Sequence, residues 1–306
     1  MFWVYRNGKG SNMEHTGRLR DRMVFQAAGE GQMPLCRVSK AGGGSFPYLY
    51  YPLLEGTGIV RHCFTTRLGG VSKGMFESLN LSFSRGDDPE AVRENFRRVS
   101  QALGTEYGDF VFTDQTHTAN VRAVGREDAG KGLERERGYA DVDGLITNEP
   151  GIVLSAFYAD CVPLYFVDVK HKAIGLCHSG WRGTVGRIGR VALEAMRAEY
   201  QTDPGDVVCA IGPSICWKCY EVSGDVAEAF AGEFPMYEGE ILQDKGNGKY
   251  QLDLWRANER ILLDAGVKQE QIAVTNLCTC CNPKLLFSHR ASQGKRGNLG
   301  AFLCLI

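Results

Sequence analysis

The sequence predicts an α/β protein with a mixed sheet or sandwich flanked by helices. Strand-like apolar runs and helix-like segments follow one another along the 306-residue chain without a strict strand–helix–strand rhythm. This irregular order argues against a doubly wound parallel sheet. No glycine-rich phosphate loop or dinucleotide fingerprint stands between a strand and a helix in the sequence, so we expect no nucleotide cofactor.

The first part of the chain differs in composition from the rest. Residues 1–45 are rich in Gly, Arg, Lys and Ser and show no sustained periodicity. They end in the run AGGGS at 41–45, which has the composition of a flexible linker. We therefore expect a flexible or peripheral extension over residues 1–45, followed by a single folded domain over residues 46–306.

The predicted strands are short apolar runs bounded by turn residues. They cover residues 60–65, 109–113, 152–156, 162–167, 173–177 and 207–211. The clearest predicted helix begins with a capping Asp88 and Pro89 and stops at Gly104. Further helices are predicted over 226–230, over 254–263, and after Gly183, where one helix carries Val185, Ile188, Val191 and Met196 on one face.

Charge and hydropathy exclude several classes of protein. Lys and Arg total 35 and Asp and Glu total 36, which gives no electrostatic reason to expect nucleic acid or an anionic membrane as a partner. The longest apolar stretch, 151–169, is broken by Asp160 and Pro163, so it predicts buried core and no membrane span. Eleven cysteines without a secretory signal indicate reduced thiols and a cytoplasmic location. The sequence does not indicate an oligomeric state.

Residues capable of metal chemistry occur at three places, each at the end of an apolar run. They are His117, the pair Asp160-Cys161, and His178. Two imidazoles and one thiolate suit zinc, and three protein ligands leave a fourth position open for water or substrate. We predict one zinc site at His117, Cys161 and His178, with Asp160 orienting an imidazole or accepting a proton and with Asp160, Cys161 and His178 as catalytic residues.

A series of short motifs makes the chain resemble a known family. The motifs are FTTR at 64–67, GGVS at 69–72, SLNL at 78–81, QTH at 115–117, ADVDG at 140–144, ADCVP at 159–163, HSGWRG at 178–183 and IGPSI at 211–215. In this order they resemble the YfiH/laccase-domain family, which is also labelled polyphenol oxidase-like or FAMIN-like. The resemblance covers roughly residue 47 to the C-terminus.

The resemblance implies a fold, a metal and an activity. The implied fold is related to the catalytic domain of cytotoxic necrotizing factor, with two mixed β-sheets packed between helices. The implied metal is zinc at His117, Cys161 and His178. The implied activity is phosphorolysis of adenosine, inosine, guanosine and methylthioadenosine to base and ribose 1-phosphate, together with adenosine deamination.

Four residues within these motifs are the predicted binding residues for substrate or phosphate. Arg67 and Arg182 would hold phosphate as planar, bidentate donors, with neighbouring glycines opening the backbone to the anion. Asn80 and Gln115 complete the predicted set. The C-terminal end departs from the family pattern: Ala291 and Asn298 stand where arginines are usual, which leaves Arg296 as a candidate substitute.

Other interpretations of the same residues stay open. Cys161 could be a nucleophile activated by His178, in a hydrolase or amidase that edits peptidoglycan precursors. A true multicopper oxidase does not fit, because the chain has only six histidines and no paired motifs. Zinc could also be a purely structural clip in a binding module.

A second group of cysteines forms two C-x-x-C spacings. These residues could make a separate closed zinc site, although buried structural thiols are the favoured interpretation. The group consists of Cys216, Cys219, Cys278 and Cys281. The remaining candidate ligands, His62, His171 and His289, are expected to be structural or surface residues.

Overall fold

A computed structural model describes residues 23–306, so the first half of the predicted extension, residues 1–22, lies outside the described residues. The fifteen strands of the described chain are β1 Leu35–Ala41, β2 Gly44–Tyr50, β3 Val60–Thr65, β4 Phe110–Phe112, β5 Val121–Ala123, β6 Gly144–Thr147, β7 Val153–Tyr158, β8 Val162–Asp168, β9 Ala173–Ser179, β10 Val207–Ile211, β11 Glu221–Ser223, β12 Leu242–Gly246, β13 Lys249–Leu252, β14 Ile272–Val274 and β15 Leu299–Leu305. They form two six-stranded sheets and one three-stranded sheet.

The two large sheets are both mixed. The first has the order β1-β2-β3-β15-β7-β4, antiparallel except for the parallel pair β4 and β7. The second has the order β14-β10-β8-β9-β6-β5, with parallel pairs only at its two edges. The small sheet, β11-β13-β12, is antiparallel. The prediction of a mixed α/β fold is confirmed, and the relation to the toxin domain stays a prediction.

Helices pack against both large sheets. The helices of the described chain are α1 Pro52–Glu55, α2 Pro89–Leu103, α3 Trp181–Val185, α4 Ile188–Tyr200, α5 Gly224–Glu233, α6 Glu238–Ile241, α7 Leu254–Asp264 and α8 His289–Ser292. Between residues 23 and 306, no helix combines the length and the apolarity that a bilayer crossing needs.

Three apolar clusters hold these layers together. The central cluster lies between the large sheets, where Leu154 and Leu303 of the first sheet meet Leu176 of the second. Tyr165 crosses this interface and donates a hydrogen bond to the carbonyl oxygen of Cys63 at 3.0 Å. On the outside of the first sheet, Phe96 of α2 packs against several strand aromatics. A third cluster places α4 and α7 on the second sheet. The order of layers is helix, sheet, sheet, helix.

Local sequence signals account for the best-defined elements. Asp88 caps α2 by accepting a hydrogen bond from the Glu90 amide, and Gly104 ends the helix in the left-handed conformation. The single helix predicted after Gly183 is divided in two. The break falls at Gly186 and Arg187, because Arg187 adopts a positive φ of 51°, which interrupts the helix between α3 and α4.

The predicted boundary after residue 45 falls inside strand β2. The AGGGS run forms the turn of the β1–β2 hairpin, in which Ala41 pairs with Gly44. Both central residues, Gly42 and Gly43, have positive φ, as a two-residue type I′ hairpin turn requires. Glycines therefore make a tight turn at this point and not a linker, and residues 35–45 belong to the first sheet.

Candidate metal centre

Strand register brings the chemical residues to one end of the second sheet. Strand β8 starts at Val162, which lies opposite Ser179 at the end of β9. Strand β6 starts at Gly144, which lies opposite Cys177 of β9. The residue before β8, the residue before β6 and the end of β9 are therefore neighbours. These positions hold Cys161, Asp143 and His178.

The loop between β4 and β5 adds His117 to this group. Asp143 fixes the loop, because its carboxylate accepts hydrogen bonds from the backbone amides of Thr116, His117 and Thr118 at 3.1, 3.2 and 2.8 Å. The backbone of His117 has a positive φ of 67°. This backbone conformation, fixed by Asp143, directs the His117 ring towards Cys161. The Sγ atom of Cys161 lies 3.9 Å from Nε2 of His117.

The three residues fit a metal ion. One ligand atom from each of His117, Cys161 and His178 lies within 4.8 Å of the others. Bond lengths of about 2.0–2.3 Å to a tetrahedral zinc would separate such ligand atoms by roughly 3.3–3.8 Å, so a small closure accommodates the ion. His178 uses Nδ1 to meet Asp143 at 2.7 Å, which leaves Nε2 for the metal.

Gly180 keeps the space beside these ligands open. A Cβ atom at this position would lie 2.9 Å from Cδ2 of His117 and 3.1 Å from Sγ of Cys161. We expect Gly180→Ala to displace both ligand residues and to weaken metal binding at this centre by about 10-fold, the lower end of what disturbed ligand orientation costs. Competition against a zinc chromophore checks this. Gly186→Ala, whose Cβ would meet the methyl group of Ala119 at 3.0 Å, is the matched control, and its metal affinity should equal that of the unchanged chain.

The buried charges of the site stabilise one another. Burial alone would raise the pKa of Asp143, but hydrogen bonds from His178 and Thr118 more than compensate and lower it. Burial would likewise lower the pKa of His178, yet the neighbouring Cys161 and Asp143 raise it to about 9. The pKa of Cys161 falls to about 6, because the two histidines outweigh its burial. A thiolate, the form that binds metal, is therefore favoured at neutral pH.

Among residues 23–306, Asp160 is hydrogen-bonded to no imidazole, contrary to one of its predicted roles. Its Oδ1 accepts a hydrogen bond from the Thr279 hydroxyl at 2.6 Å, and its Oδ2 accepts one from the Arg290 amide at 2.7 Å. The register of β6 and β9 places the imidazole of His178 against Asp143 instead. Asp160 links the loop before β8 to two C-terminal segments, and its role as a proton acceptor stays a prediction.

Basic side chains from the C-terminal segments lie near Asp160, and one of them also lies near Cys161. Arg296 has a pKa lowered to about 10, because burial and the positive charge of Arg85 outweigh the attraction of Asp160 and Cys161. Its Nε is buried and has no hydrogen-bond partner among residues 23–306. Burial, Arg296 and Arg85 also lower the pKa of His289. This part of the site therefore favours an anion.

Two of the predicted binding residues are engaged in the protein itself. Asn80 is fully buried, and its amide makes four hydrogen bonds, to Ser82 twice, to Asp87 and to the Asn298 amide. Because an asparagine amide has two donors and two acceptor sites, this set is complete and leaves no free position for substrate, whose contact with Asn80 stays a prediction. Arg67 donates through Nε and Nη1 to the carbonyls of Glu77 and Pro283, so two of its nitrogens are engaged within the protein, and its contact with phosphate stays a prediction.

The other two predicted binding residues differ from each other. Gln115 pairs with both backbone groups of Phe157, accepting from its amide and donating to its carbonyl, each at 2.7 Å. This contact braces the loop of His117. Arg182 is exposed, and its guanidinium lies 4.2 Å above the ring of Trp181 at the start of α3. Arg182 is therefore the member of the predicted set that is available to an anion.

Sequence reasoning missed Asp143 as the residue that organises the centre. It lies in the ADVDG motif, but so does Asp141, and only the pairing of β6 with β9 distinguishes the two. Three further histidines behave as expected. His62 is buried and accepts from the Tyr51 amide, and His171 meets Asp168 at 2.8 Å. His289 is exposed, as a surface residue should be.

Comparisons with known proteins identify relatives over most of the chain. A family model described as multi-copper polyphenol oxidoreductase laccase matches residues 61–306. Purine nucleoside phosphorylase YlmD of Bacillus subtilis (strain 168) is 39% identical over 241 residues, 78% of this chain and 86% of that protein. Adenosine deaminase RL5, from an unknown prokaryotic organism, is 33% identical over 229 residues, which are 74% of this chain and 87% of that protein. The crystal structure of the Bacillus licheniformis hypothetical protein YfiH superposes with a TM-score of 0.80 at 33% identity, covering 85% of this chain and 96% of that one.

Proposed function

We propose that this chain, which belongs to the multi-copper polyphenol oxidoreductase laccase family, is a zinc-dependent purine nucleoside enzyme. The proposed reactions are phosphorolysis of adenosine, inosine, guanosine and methylthioadenosine to base and ribose 1-phosphate, and deamination of adenosine. The observation that carries the proposal is the convergence of His117, Cys161 and His178 within 4.8 Å of one another. The names of the relatives supply the substrate class.

Zinc is the proposed metal because two imidazoles and one thiolate are ligands that it prefers. Bound zinc supplies Lewis acidity and lowers the pKa of water to about 7, which is the chemistry that deamination of a purine ring needs. Asp143 holds both histidines in place before substrate arrives, through Nδ1 of His178 and the backbone of His117. Asp160 is the proposed proton acceptor, held in position by Thr279 and Arg290.

Phosphorolysis needs a second group of residues, which bind phosphate. Arg296, with its buried and unpaired Nε among the described residues, and exposed Arg182 are the proposed phosphate ligands. Arg85 adds positive charge to the same region. Purine nucleosides and phosphate are thus the proposed partners. A cytoplasmic location is part of the proposal, because all eleven cysteines are unpaired.

One observation favours a second candidate function, a cysteine hydrolase or amidase. Cys161, His178 and Asp143 lie in the order of a nucleophile, a base and an orienting carboxylate. A Cys161 thiol with a pKa lowered to about 6 is mostly a thiolate nucleophile at neutral pH. The nearby ring of His117 argues against this candidate, because a nucleophile needs only one imidazole and a zinc ion uses both.

The test is to incubate protein of known metal content with adenosine, with and without phosphate, and to identify the products. Adenine and ribose 1-phosphate that form only with phosphate are expected from phosphorolysis, and inosine is expected from deamination. The Cys161→Ala variant should lose both activities, phosphorolysis and deamination, and should contain one equivalent of zinc less per chain. Cys36→Ala, which removes a thiol from strand β1, is the control and should retain both.

The same samples decide between the two candidates. If adenosine stays unchanged while an acylated muramyl precursor is cleaved, and Cys161→Ala abolishes that cleavage, the amidase replaces the nucleoside enzyme as the function of this site.

A further inference from the structure

A second cluster of potential metal ligands lies outside the site described above. It consists of the four cysteines of two C-x-x-C segments, whose sulfur atoms all lie within 4.8 Å of one another; they are Cys216, Cys219, Cys278 and Cys281. The first and third are buried, and the other two are half-buried. The Sγ atoms of Cys219 and Cys281 are 3.5 Å apart.

The fold brings these two segments together from distant parts of the chain. Strands β10 and β14 are parallel neighbours, and the cysteine segments are the loops that leave their ends. An isolated bridge between Ser214 and Cys278 continues the pairing into the loops. Residues 62 positions apart in sequence are therefore in contact, as the 3.2 Å hydrogen bond from the Cys216 amide to Sγ of Cys278 indicates.

Backbone amides point at the sulfur of Cys278, as they do at metal-bound thiolates. It accepts from the amide of Cys216 and, at 3.4 Å, from the amide of Cys281 within the same C-x-x-C segment. Hydrogen bonds of this kind orient ligands and offset their negative charge in metal sites. Buried thiols that only fill space would not need such donors.

We infer that the four cysteines form a closed, structural zinc site. Zinc–sulfur bonds of about 2.3 Å in a tetrahedron place the sulfur atoms roughly 3.8 Å apart. The observed sulfur atoms all lie within 4.8 Å of one another, and one pair is 3.5 Å apart. Four thiolates complete the coordination shell and leave no position for substrate, in contrast to the three-ligand centre at Cys161. This site revises the expectation of four structural thiols without metal.

The proposed zinc would brace the first site from behind. Thr279, which lies inside the second C-x-x-C segment, donates the 2.6 Å hydrogen bond to Asp160. Arg290 donates through its side chain to the carbonyl of Cys219 and through its amide to Asp160. A metal that joins the two loops would therefore fix the partners of Asp160.

Metal analysis of the full-length Cys161→Ala variant tests this inference independently of the proposed function, because that variant lacks a ligand of the first centre. One equivalent of zinc per chain is expected. Adding Cys281→Ser or Cys219→Ser should reduce it to below about a tenth of an equivalent. Adding Cys280→Ser is the matched control, because Cys280 is an adjacent half-buried thiol outside the cluster, and it should leave the zinc in place.

A spectroscopic measurement covers the case in which the serine variants do not fold. The Cys161→Ala chain loaded with cobalt should show strong thiolate-to-cobalt charge transfer, which its single removed thiol cannot supply. The inference is overturned if Cys161→Ala holds no zinc and shows no such band, if Cys280→Ser loses the metal as Cys281→Ser does, or if mass spectrometry finds a disulfide between Cys219 and Cys281 in the freshly purified chain.

Discussion

Asp143→Asn is expected to weaken zinc binding at the first centre by about 10- to 100-fold and to reduce turnover at least as much. The carboxylate accepts from Nδ1 of His178 and from three amides of the His117 loop, so it positions both histidine ligands. An asparagine has the same shape but replaces one acceptor oxygen by an NH₂ donor. This donor would face an N–H group, so at least one of these hydrogen bonds would be lost. The substitution also removes the negative charge that keeps His178 hydrogen-bonded through the correct nitrogen.

The comparison that checks this is Asp141→Asn, which makes the same change two residues earlier in the same motif. Asp141 is exposed and accepts from the Thr116 hydroxyl at 2.7 Å. We expect it to retain zinc affinity within about 3-fold, measured by chelator competition. The prediction fails if both variants bind zinc equally. Loss of activity in Asp143→Asn with unchanged zinc affinity would instead favour the cysteine hydrolase, where the carboxylate serves only the base.

The sequence predicts best the strands that are buried on both faces. Strands β8 and β9 are fully buried over all seven residues, and both begin at the predicted residue. Strands β3 and β10 match their predicted ranges completely. In these segments the need to bury a continuous apolar run leaves little choice of conformation.

The missed strands lack such a signal or depend on distant partners. Strand β12 is largely exposed, so no alternation of apolar and polar residues marks it. Strand β15 is an apolar run whose local pattern does suit a strand, yet its place between β3 and β7 rests on pairing with residues more than 140 positions earlier in the chain. Local periodicity cannot specify such pairings.

The same division applies to the site. The sequence alone could identify the three metal ligands His117, Cys161 and His178. Each lies at the end of an apolar run, and the ends of neighbouring strands lie together at one edge of a sheet. The roles of Asp143, Asn80 and Arg67 could not be identified, because they depend on which polar groups the fold brings within hydrogen-bonding distance. Motif membership alone did not distinguish a buried brace such as Asn80 from a ligand.

Arg296→Gln is expected to lower the ratio of phosphorolysis to deamination by roughly 30- to 100-fold. This corresponds to about 2–3 kcal/mol, the range of a hydrogen bond between charged groups. The guanidinium has a buried Nε without a partner among residues 23–306, and burial and Arg85 lower its pKa to about 10. A bound phosphate dianion would satisfy that nitrogen and separate the two positive charges, so the cost of burying Arg296 is offset when phosphate binds.

Lys295→Gln is the matched control, because it removes the same charge from the adjacent, exposed position. If only the overall field attracted phosphate, the two variants would reduce the ratio equally, and the reduction would shrink with added salt. If Arg296 contacts phosphate directly, its variant alone should raise the phosphate concentration needed for half-maximal phosphorolysis, at constant ionic strength. An equal, salt-sensitive loss in both variants would remove Arg296 from the proposed phosphate site and leave exposed Arg182 as the candidate.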